Sequence, residues 1–208
     1  LFKKNKITTD AMYAKGSRRD AGQVLANGGV AGAIALLSVF FPESIAPWIG
    51  FCSALAAANA DTWATELGIL NRKPPVIDLT GRPVEPGTSG AVSLVGTLAA
   101  TAGAALIGLL AWLVNPIHTD LVETVWLVGV VLLCGLAGSF VDSLLGATVQ
   151  AIYTCPNCHK ETEKHPLHDC GSSTNLIRGW KWLNNDLVNF ACTISASILA
   201  LILVQFIR

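Results

Sequence analysis

Asn59-Ala60-Asp61-Thr62-Trp63-Ala64-Thr65-Glu66-Leu67-Gly68 places two carboxylates inside an apolar run that extends from about Ile45 to Leu70. A third carboxylate, Asp142, lies in Gly138-Ser139-Phe140-Val141-Asp142-Ser143-Leu144-Leu145-Gly146, within the run from about Leu121 to Ile152. An acidic side chain at mid-membrane costs roughly 3 kcal/mol, so three unpaired ones would cost on the order of 9 kcal/mol, comparable to a domain's net stability. We therefore expect cations at these carboxylates.

The composition is that of a membrane protein. Of the 208 residues, 52% are hydrophobic and only 13% are charged, and the mean hydropathy is positive. Five runs of at least about 18 largely apolar residues can each cross the hydrocarbon layer as a helix, and none alternates like a β-barrel strand. The sequence thus predicts an all-α, polytopic membrane bundle of about five transmembrane helices: Gly22–Phe41, Ile45–Leu70, Ala91–Val114, Leu121–Ile152 and Asp186–Ile207.

The basic residues predict how this bundle is oriented. With five spans, thirteen of the fourteen Lys and Arg residues fall on one side, which the positive-inside rule makes cytoplasmic, and Arg208 falls on the other. The chain has no initiator Met and no signal-peptide pattern, so we expect a truncated or processed N-terminus, with room for an upstream helix. We expect one membrane domain over residues 1–208, with residues 153–183 forming a cytoplasmic insertion.

Polar residues collect at the ends of the spans that this orientation places in the cytoplasm. Arg19, Gln23 and Asn27 recur every four residues and would share a helix face. They could bind an anion, or they could simply supply juxtamembrane charge and helix packing. Asn185, Asp186 and Asn189 open the last span. Because all these clusters lie at one end of different helices, we expect a single site.

A glycine-rich turn precedes the third span. Pro86-Gly87-Thr88-Ser89-Gly90 is predicted to run straight into that helix, where free N–H groups and hydroxyls would suit phosphate. The alternative is a plain helix cap by Thr88 or Ser89.

The cysteines divide into two groups. Cys52, Cys134 and Cys192 are single residues in apolar spans, where we expect them to pack. Cys155 and Cys158 have the C-x2-C spacing of a structural zinc site, and a reducing cytoplasm disfavours a disulfide. The predicted zinc ligands are Cys155, Cys158, Cys170 and His168, with His165 or Asp169 as replacements for His168.

Intramembrane carboxylates fit an ion-coupled transporter or a metal-dependent enzyme acting on a lipid. A transporter should have inverted repeats and polar residues reaching both faces. Here the outer halves of the spans are apolar, which favours an enzyme with a cytoplasmic mouth. Acids, carboxamides and basic loops together suit Mg²⁺ and polyphosphate, although there is no Walker A or protein-kinase signature.

Five motifs carry a family resemblance: Lys15-Gly16-x-Arg18-Arg19, Ala60-Asp61-Thr62-Trp63-Ala64-Thr65-Glu66-Leu67-Gly68, Gly87-Thr88-Ser89-Gly90-Ala91-Val92-Ser93, Gly138-Ser139-x-x-Asp142-Ser143-Leu144-Leu145-Gly146-Ala147 and Asn184-Asn185-Asp186-x-Val188-Asn189. Together with the cysteine loop they resemble the integral-membrane family that includes animal transmembrane protein 19 and the plant phytyl-phosphate kinase of vitamin E biosynthesis. That family is in turn distantly similar to CTP-dependent polyprenol kinases and CDP-diacylglycerol synthases.

The resemblance implies transfer of the γ-phosphoryl group of a nucleoside triphosphate, with CTP expected, to an isoprenyl monophosphate lipid. The alternatives are a CTP-dependent cytidylyltransferase or polyprenol kinase, and then a transporter. No nucleic-acid partner is expected, and a homo-oligomer is compatible with this interpretation. The hypothesis assigns Mg²⁺ to Asp61, Glu66, Asp142 and Asp186. The candidates for binding nucleotide and substrate are Arg18, Arg19, Asn27, Arg72, Lys73, Thr88, Ser89, Gly90, Asn185 and Asn189.

Overall fold

A computed structural model of the chain describes residues 20–77, 80–115 and 120–206. Within these ranges the protein is mostly helical, with helices α1 to α5 in chain order: Ala21–Ser38, Ala46–Gly68, Leu94–Leu113, Leu121–Thr148 and Asn185–Val204. The predicted helical membrane bundle is confirmed, although the described part of the chain is mostly and not purely helical, and each helix begins and ends within a few residues of the predicted span.

Capping side chains explain where four of the helices begin. Asp20, Ser93, Asp120 and Asn184 each accept a hydrogen bond from a backbone N–H three residues further on, at the start of α1, α3, α4 and α5. Such caps satisfy amide groups that the first helical turn leaves without a partner. Helix α2 has no side-chain cap and instead has a proline near its start, where the missing N–H does no harm.

Helix α2 is the centre of the bundle. It contacts all four other helices, and Ala54, Ala56, Ala57 and Ala60 on it are completely buried. Among the described helices, α1, α3, α4 and α5 are long and apolar enough to cross a bilayer. The 23-residue α2 is less apolar, because its C-terminal half contains several polar residues. The neighbouring helices cover much of its surface.

Outward-facing apolar side chains agree with a lipid environment. Leu36, Leu98, Leu133 and Ile198 lie on four different helices, and each is more than half exposed. A soluble protein rarely exposes so many large apolar residues on contiguous helix faces. The core consists instead mainly of Ala, Cys and Val, since small residues let helices approach closely in a membrane.

Two small sheets lie outside the helices. Strands β1 (Val76–Ile77) and β2 (Ala91–Val92) pair antiparallel within the connection between α2 and α3. The connection between α4 and α5 forms a three-stranded antiparallel sheet in the order β4-β3-β5, from β3 (Ile152–Cys155), β4 (Lys160–Thr162) and β5 (Asn175–Arg178). We call residues 152–178 the cysteine sheet.

Arg178 attaches the cysteine sheet to the bundle. Its guanidinium donates to the carbonyl oxygens of Ala147 and Gly146 at 2.7 and 3.0 Å. These are carbonyl groups at the end of α4, which have no partner within the helix, and a cation there also complements the helix dipole. The sheet is therefore held against the end of α4.

Gly90 is predicted to tolerate no side chain, whereas Gly81 offers a matched comparison. Both have a positive φ, but a Cβ on Gly90 would lie 2.1 Å from Ala147 N and 2.5 Å from Ser143 O, whereas a Cβ on Gly81 meets open space. Gly81→Ala should lower the free energy of unfolding by about 1 kcal/mol, and Gly90→Ala by about 2 to 5 kcal/mol, because backbone overlap adds to the strain. Thermal unfolding of the detergent-solubilised variants, followed by tryptophan fluorescence, measures both; equal shifts would contradict the close contact between this turn and α4.

Candidate functional site

One end of the bundle contains a cavity of about 1270 Å³. The starts of α1, α3 and α5, the ends of α2 and α4, the connection 71–93 and the cysteine sheet all contribute to its wall. We call it the polar cavity. Its acidic, amide and basic lining residues include Asp61, Glu66, Asp142, Glu163, Asp169, Asp186, Gln23, Asn27, Asn71, Asn184, Asn185, Asn189, Lys73, Lys164 and Lys181.

Two of the predicted carboxylates meet directly. The carboxyl groups of Asp61 on α2 and Asp142 on α4 lie within hydrogen-bonding distance of each other. Asp142 Oδ2 is buried, and no donor among the described residues reaches it. Two carboxylates this close repel each other unless a proton or a cation lies between them. The pair therefore has the donor chemistry of a hard-cation site.

The other two predicted acids join the cavity from different directions. Glu66 lies further along α2 and is exposed, and Asp186 lies half-buried in the first turn of α5. Both line the polar cavity. The structure therefore brings all four predicted acids to one cavity, and within it Asp61 and Asp142 form the pair in direct contact.

The carboxamides predicted from the sequence also reach the cavity. Asn27, Asn185 and Asn189 all line it. Asn27 Nδ2 donates to the carbonyl oxygen of Gln23 at 3.0 Å, and this bond fixes which way the amide faces. Asn184 caps α5, so the polar cluster at the start of this helix combines a cap with residues that face the cavity.

The expectation that the glycine-rich turn runs straight into a helix is wrong. Strand β2 separates the turn from α3, and the cap is Ser93, whose Oγ accepts from Gly96 N at 3.1 Å, and not Thr88 or Ser89. The Thr88 N–H is already bonded to the Glu85 carbonyl, and Gly90 packs against α4. The hydroxyls of Thr88 and Ser89 still lie at the cavity wall.

The predicted basic residues separate into those at the cavity and those away from it. Lys73 lines the polar cavity, whereas its neighbour Arg72 is exposed and does not line it. Arg18 and Arg19 lie outside the described residues. Lys164 and Lys181, which belong to the thirteen basic residues counted on one side but were not predicted as site residues, also line the cavity. Lys164 forms an ion pair with Asp169.

Glu163, which lines the polar cavity, and Gln150, which is hydrogen-bonded to it, escaped the sequence analysis as site residues. Gln150 is 1% exposed; its Oε1 accepts from Ser89 Oγ at 2.7 Å and its Nε2 donates to Glu163 Oε1 at 2.8 Å. Gln150 follows Asp142 by eight residues and Gly146 by four, which is a helical spacing, so periodicity hints at it. Glu163 lies in a hydrophilic loop where no local pattern distinguishes it from its neighbours.

The cysteine sheet holds a set of metal ligands. One ligand atom each from Cys155, Cys158, His168 and Cys170 lies within 4.8 Å of all the others. Cys155 Sγ lies 3.5 Å from Cys170 Sγ, and His168 Nδ1 lies 3.3 Å from Cys170 Sγ and 3.6 Å from Cys158 Sγ. Zinc–sulfur bonds of about 2.3 Å give tetrahedral edges of about 3.7 Å, so these spacings suit four-coordinate metal.

The two alternative ligands have other contacts. His165 stacks on Tyr153 with ring centroids 4.5 Å apart, and Asp169 is paired with Lys164. The hydrogen bond to Lys164 also holds the pKa of Asp169 below its usual value. His168 is therefore the member of the cluster, as the first-choice ligand set predicted.

Thiol chemistry favours a cation at this cluster. Hydrogen bonds from Ser172 and His168 lower the pKa of the Cys170 thiol to about 5. The neighbouring sulfur of Cys170 raises the pKa of Cys158 to about 11. Three sulfurs this close cannot all ionise together without a compensating positive charge, and a divalent metal supplies it.

Comparison with known proteins places the chain in a family. A model of the family described as "Integral membrane protein DUF92" matches residues 2–197. The chain belongs to this family. Protein PGR of Arabidopsis thaliana is 30% identical over 93% of this chain and 72% of its own length. These matches confirm the family resemblance that the motifs suggested and the prediction of an integral membrane protein.

Two further relatives are matched over a smaller part of their own length. An uncharacterized membrane protein of Methanocaldococcus jannaschii is 40% identical over 62% of this chain and 50% of its own length. Protein VTE6, chloroplastic, of Arabidopsis thaliana is 28% identical over 76% of this chain and 38% of its own length. No solved structure matches the chain significantly.

The ligand cluster predicts about one tightly bound metal ion per chain. Cys158→Ser should remove that metal, because it takes away one of four ligands, whereas Cys52→Ser should keep it, since Cys52 is buried in α2. His165→Ala and Asp169→Ala should keep it too. Inductively coupled plasma mass spectrometry of purified protein gives the metal content, and metal retained in Cys158→Ser would reject the cluster.

Release of the metal to a chelator should speed up as the pH falls, because protons compete with the metal for the thiolates.

Proposed function

We propose that this protein is a membrane-embedded phosphotransferase. It moves the γ-phosphoryl group of a nucleoside triphosphate, with CTP as the expected donor, to an isoprenyl monophosphate of the phytyl or geranylgeranyl type. The observation that carries the proposal is the convergence of Asp61, Asp142, Glu66 and Asp186 on one cavity, where no donor in the described part of the chain reaches the buried Asp142 Oδ2. Membership of the family supports the same reaction class.

Mg²⁺ suits this donor set. Asp61 and Asp142 adjoin each other, so their charges require compensation, and carboxylate oxygens are the ligands that Mg²⁺ prefers. Asp61, Asp142, Glu66 and Asp186 would hold one or two ions. Bound there, Mg²⁺ would neutralise charge on the polyphosphate of the nucleotide.

Basic and polar side chains around the acids suit the phosphates. Lys73 and Lys181 reach the polar cavity from two different connections, one after the end of α2 and the other before the start of α5. Asn185, Asn189 and Thr88 add amide and hydroxyl groups. A lysine beside a phosphate acts as a compact positive charge with three hydrogen-bond donors. The lysines, amides and hydroxyls of this wall can therefore bind the phosphates of the nucleotide, and the acids remain available to the cation.

The chemical step requires little from the protein beyond alignment. An oxygen of the isoprenyl phosphate attacks the γ-phosphorus, the bond from that phosphorus to the β–γ bridging oxygen breaks, and the nucleoside diphosphate leaves with the electron pair. The attacking oxygen is already anionic at neutral pH, so no general base is needed. Positioning and charge compensation supply the catalysis, as in other phosphoryl transfers.

The apolar tail has a path from the site to the bilayer. The cavity wall includes Leu136 and Phe140 on α4 and Ala64 and Ala100 on the helices opposite. Phe140 is 52% exposed, so the apolar side of the cavity continues into the outward-facing surface of the bundle. An isoprenyl chain placed there keeps its apolar surface away from water while its phosphate reaches the acids.

The site faces the cytoplasm in this proposal. Arg72, Lys73, Arg82, Lys160, Lys164, Arg178 and Lys181 all lie in the two connections at the cavity end. In the described part of the opposite connections the charged residues are acidic, Glu43 and Asp120. The positive-inside rule then assigns the cavity end to the cytoplasm. Residues 153–183 form an insertion of the single membrane domain on that side, with zinc as the metal of the cysteine sheet because thiolate and imidazole ligands favour it.

The decisive variants neutralise the adjoining acids. Asp61→Asn and Asp142→Asn should each lower phosphoryl transfer by about 100-fold or more, because each removes charge that the cation requires. Glu123→Gln is the matched control, since Glu123 is an exposed acid at the opposite end of α4, and its activity should equal that of the wild type. The assay follows the turnover of CTP and of ATP by purified protein with phytyl or geranylgeranyl phosphate, and identifies the products.

The products separate the alternatives. Isoprenyl diphosphate with a nucleoside diphosphate supports the proposal, whereas a CDP-lipid with pyrophosphate identifies a cytidylyltransferase. Phosphorylation of a polyprenol instead of its phosphate identifies a polyprenol kinase. Ion-dependent substrate flux in liposomes without nucleotide turnover identifies a transporter. Full activity in Asp61→Asn or Asp142→Asn rejects the assigned metal site.

A pair of neighbouring basic residues tests the nucleotide side of the cavity. Lys73→Ala should raise the KM for nucleotide about tenfold, because a charged hydrogen bond to phosphate is lost. Arg72→Ala should leave KM unchanged, since Arg72 does not line the cavity. Steady-state kinetics of both variants measures the difference, and equal effects would mean that net charge near the membrane matters and not the position of Lys73.

A further inference from the structure

Glu163 extends from the cysteine sheet into the polar cavity. It directly follows β4 and lines the cavity together with Asp61 and Asp142. Its position is set by Gln150, whose Nε2 donates to Glu163 Oε1 at 2.8 Å. The cysteine sheet thus contributes an acid to a site that is otherwise formed mainly by helices.

The contacts of Gln150 hold the carboxyl group of Glu163 in place. The Ser89 hydroxyl donates to Gln150 Oε1 at 2.7 Å, so the amide group of Gln150 must point its N–H₂ toward Glu163. Gln150 is 1% exposed, and turning its amide would leave a buried group without a partner, at a cost of about 1–3 kcal/mol.

The charge of Glu163 acts directly on the adjoining acids. Glu163 is close enough to Asp142 for electrostatic repulsion between the two carboxylates, and Asp142 is itself in contact with Asp61. The next residue, Lys164, is paired with Asp169. Carboxylates from α2, α4 and the cysteine sheet therefore line one cavity, in which no donor among the described residues reaches the buried Asp142 Oδ2.

We propose that Glu163 is the third carboxylate of a divalent-cation site formed with Asp61 and Asp142, and that Gln150 and Ser89 hold it in place. This inference rests on the proposed function, because it extends the same acidic site. Three oxygen ligands from separate elements match the chemistry of Mg²⁺ or Mn²⁺, which also retains water and binds phosphate. Partners behind a ligand, here Gln150 and Ser89, orient it toward the metal.

The test measures cation binding separately from catalysis. Purified full chain in detergent is titrated with Mn²⁺, and free Mn²⁺ is followed by electron paramagnetic resonance. Glu163→Gln should weaken Mn²⁺ binding about tenfold or more. Glu161→Gln is the matched control, because Glu161 lies on β4, is exposed and does not line the cavity, so its affinity should equal that of the wild type. Metal content of the cysteine sheet, equal in all variants, shows that the sheet remains folded.

The outcomes distinguish this inference from the proposed reaction. Affinity of Glu163→Gln within about twofold of wild type, while Asp142→Asn loses binding, overturns the role of Glu163 and leaves the site of the other acids intact. Absence of Mn²⁺ binding to the wild type overturns the cation site as a whole. Binding that depends on Glu163, together with no turnover of any nucleotide, supports the inference and rejects the proposed phosphotransferase.

Discussion

The close approach of α2 and α4 organises the whole bundle. A Cβ on Gly135 would lie 2.8 Å from Ala56 Cβ, and one on Gly138 would lie 2.7 Å from Ala57 Cβ. Only the absence of a side chain on α4, opposite alanine on α2, permits this separation. The same approach brings Asp142, one turn beyond Gly138, against Asp61. Larger residues at either glycine would push the two carboxylates apart.

The crowded acids then determine what the surrounding elements have to provide. In hydrocarbon, a pair of adjoining carboxylates is costly unless protons or cations compensate it. The polar cavity allows that compensation, because it opens at one end of the bundle and is lined by lysines, amides and hydroxyls. The cysteine sheet forms part of the cavity wall; Arg178 holds it to the end of α4, and Gln150 connects its Glu163 to Ser89 in the turn before β2. The cluster of cysteine and histidine ligands and the cavity are therefore parts of one connected structure.

Local patterns predicted the helices well, whereas predictions that depended on placement across the fold were less complete. Apolar runs of sufficient length identified all five described helices, and the zinc-type ligands lie close together along the chain. The turn at Gly87–Gly90, in contrast, was expected at a helix start, but β2 intervenes and Gly90 packs against α4. Lys73 and Arg72 are adjacent and equally basic, yet Lys73 lines the cavity and Arg72 does not. Glu163 was not recognised at all, because its relation to Gln150 and Asp142 exists only once the cysteine sheet is folded onto α4.

Hydropathy and short spacings were sufficient to predict a helical membrane protein with acids buried in its spans and a four-ligand metal cluster. These properties follow from transfer energies and from neighbours in sequence, which act locally. Two relations emerged only from the folded chain: the carboxyl groups of Asp61 and Asp142 adjoin each other, and Glu163 joins the acids that were expected to share one site. Such relations depend on how each helix is rotated and how closely small residues let it approach, and hydropathy does not encode either quantity.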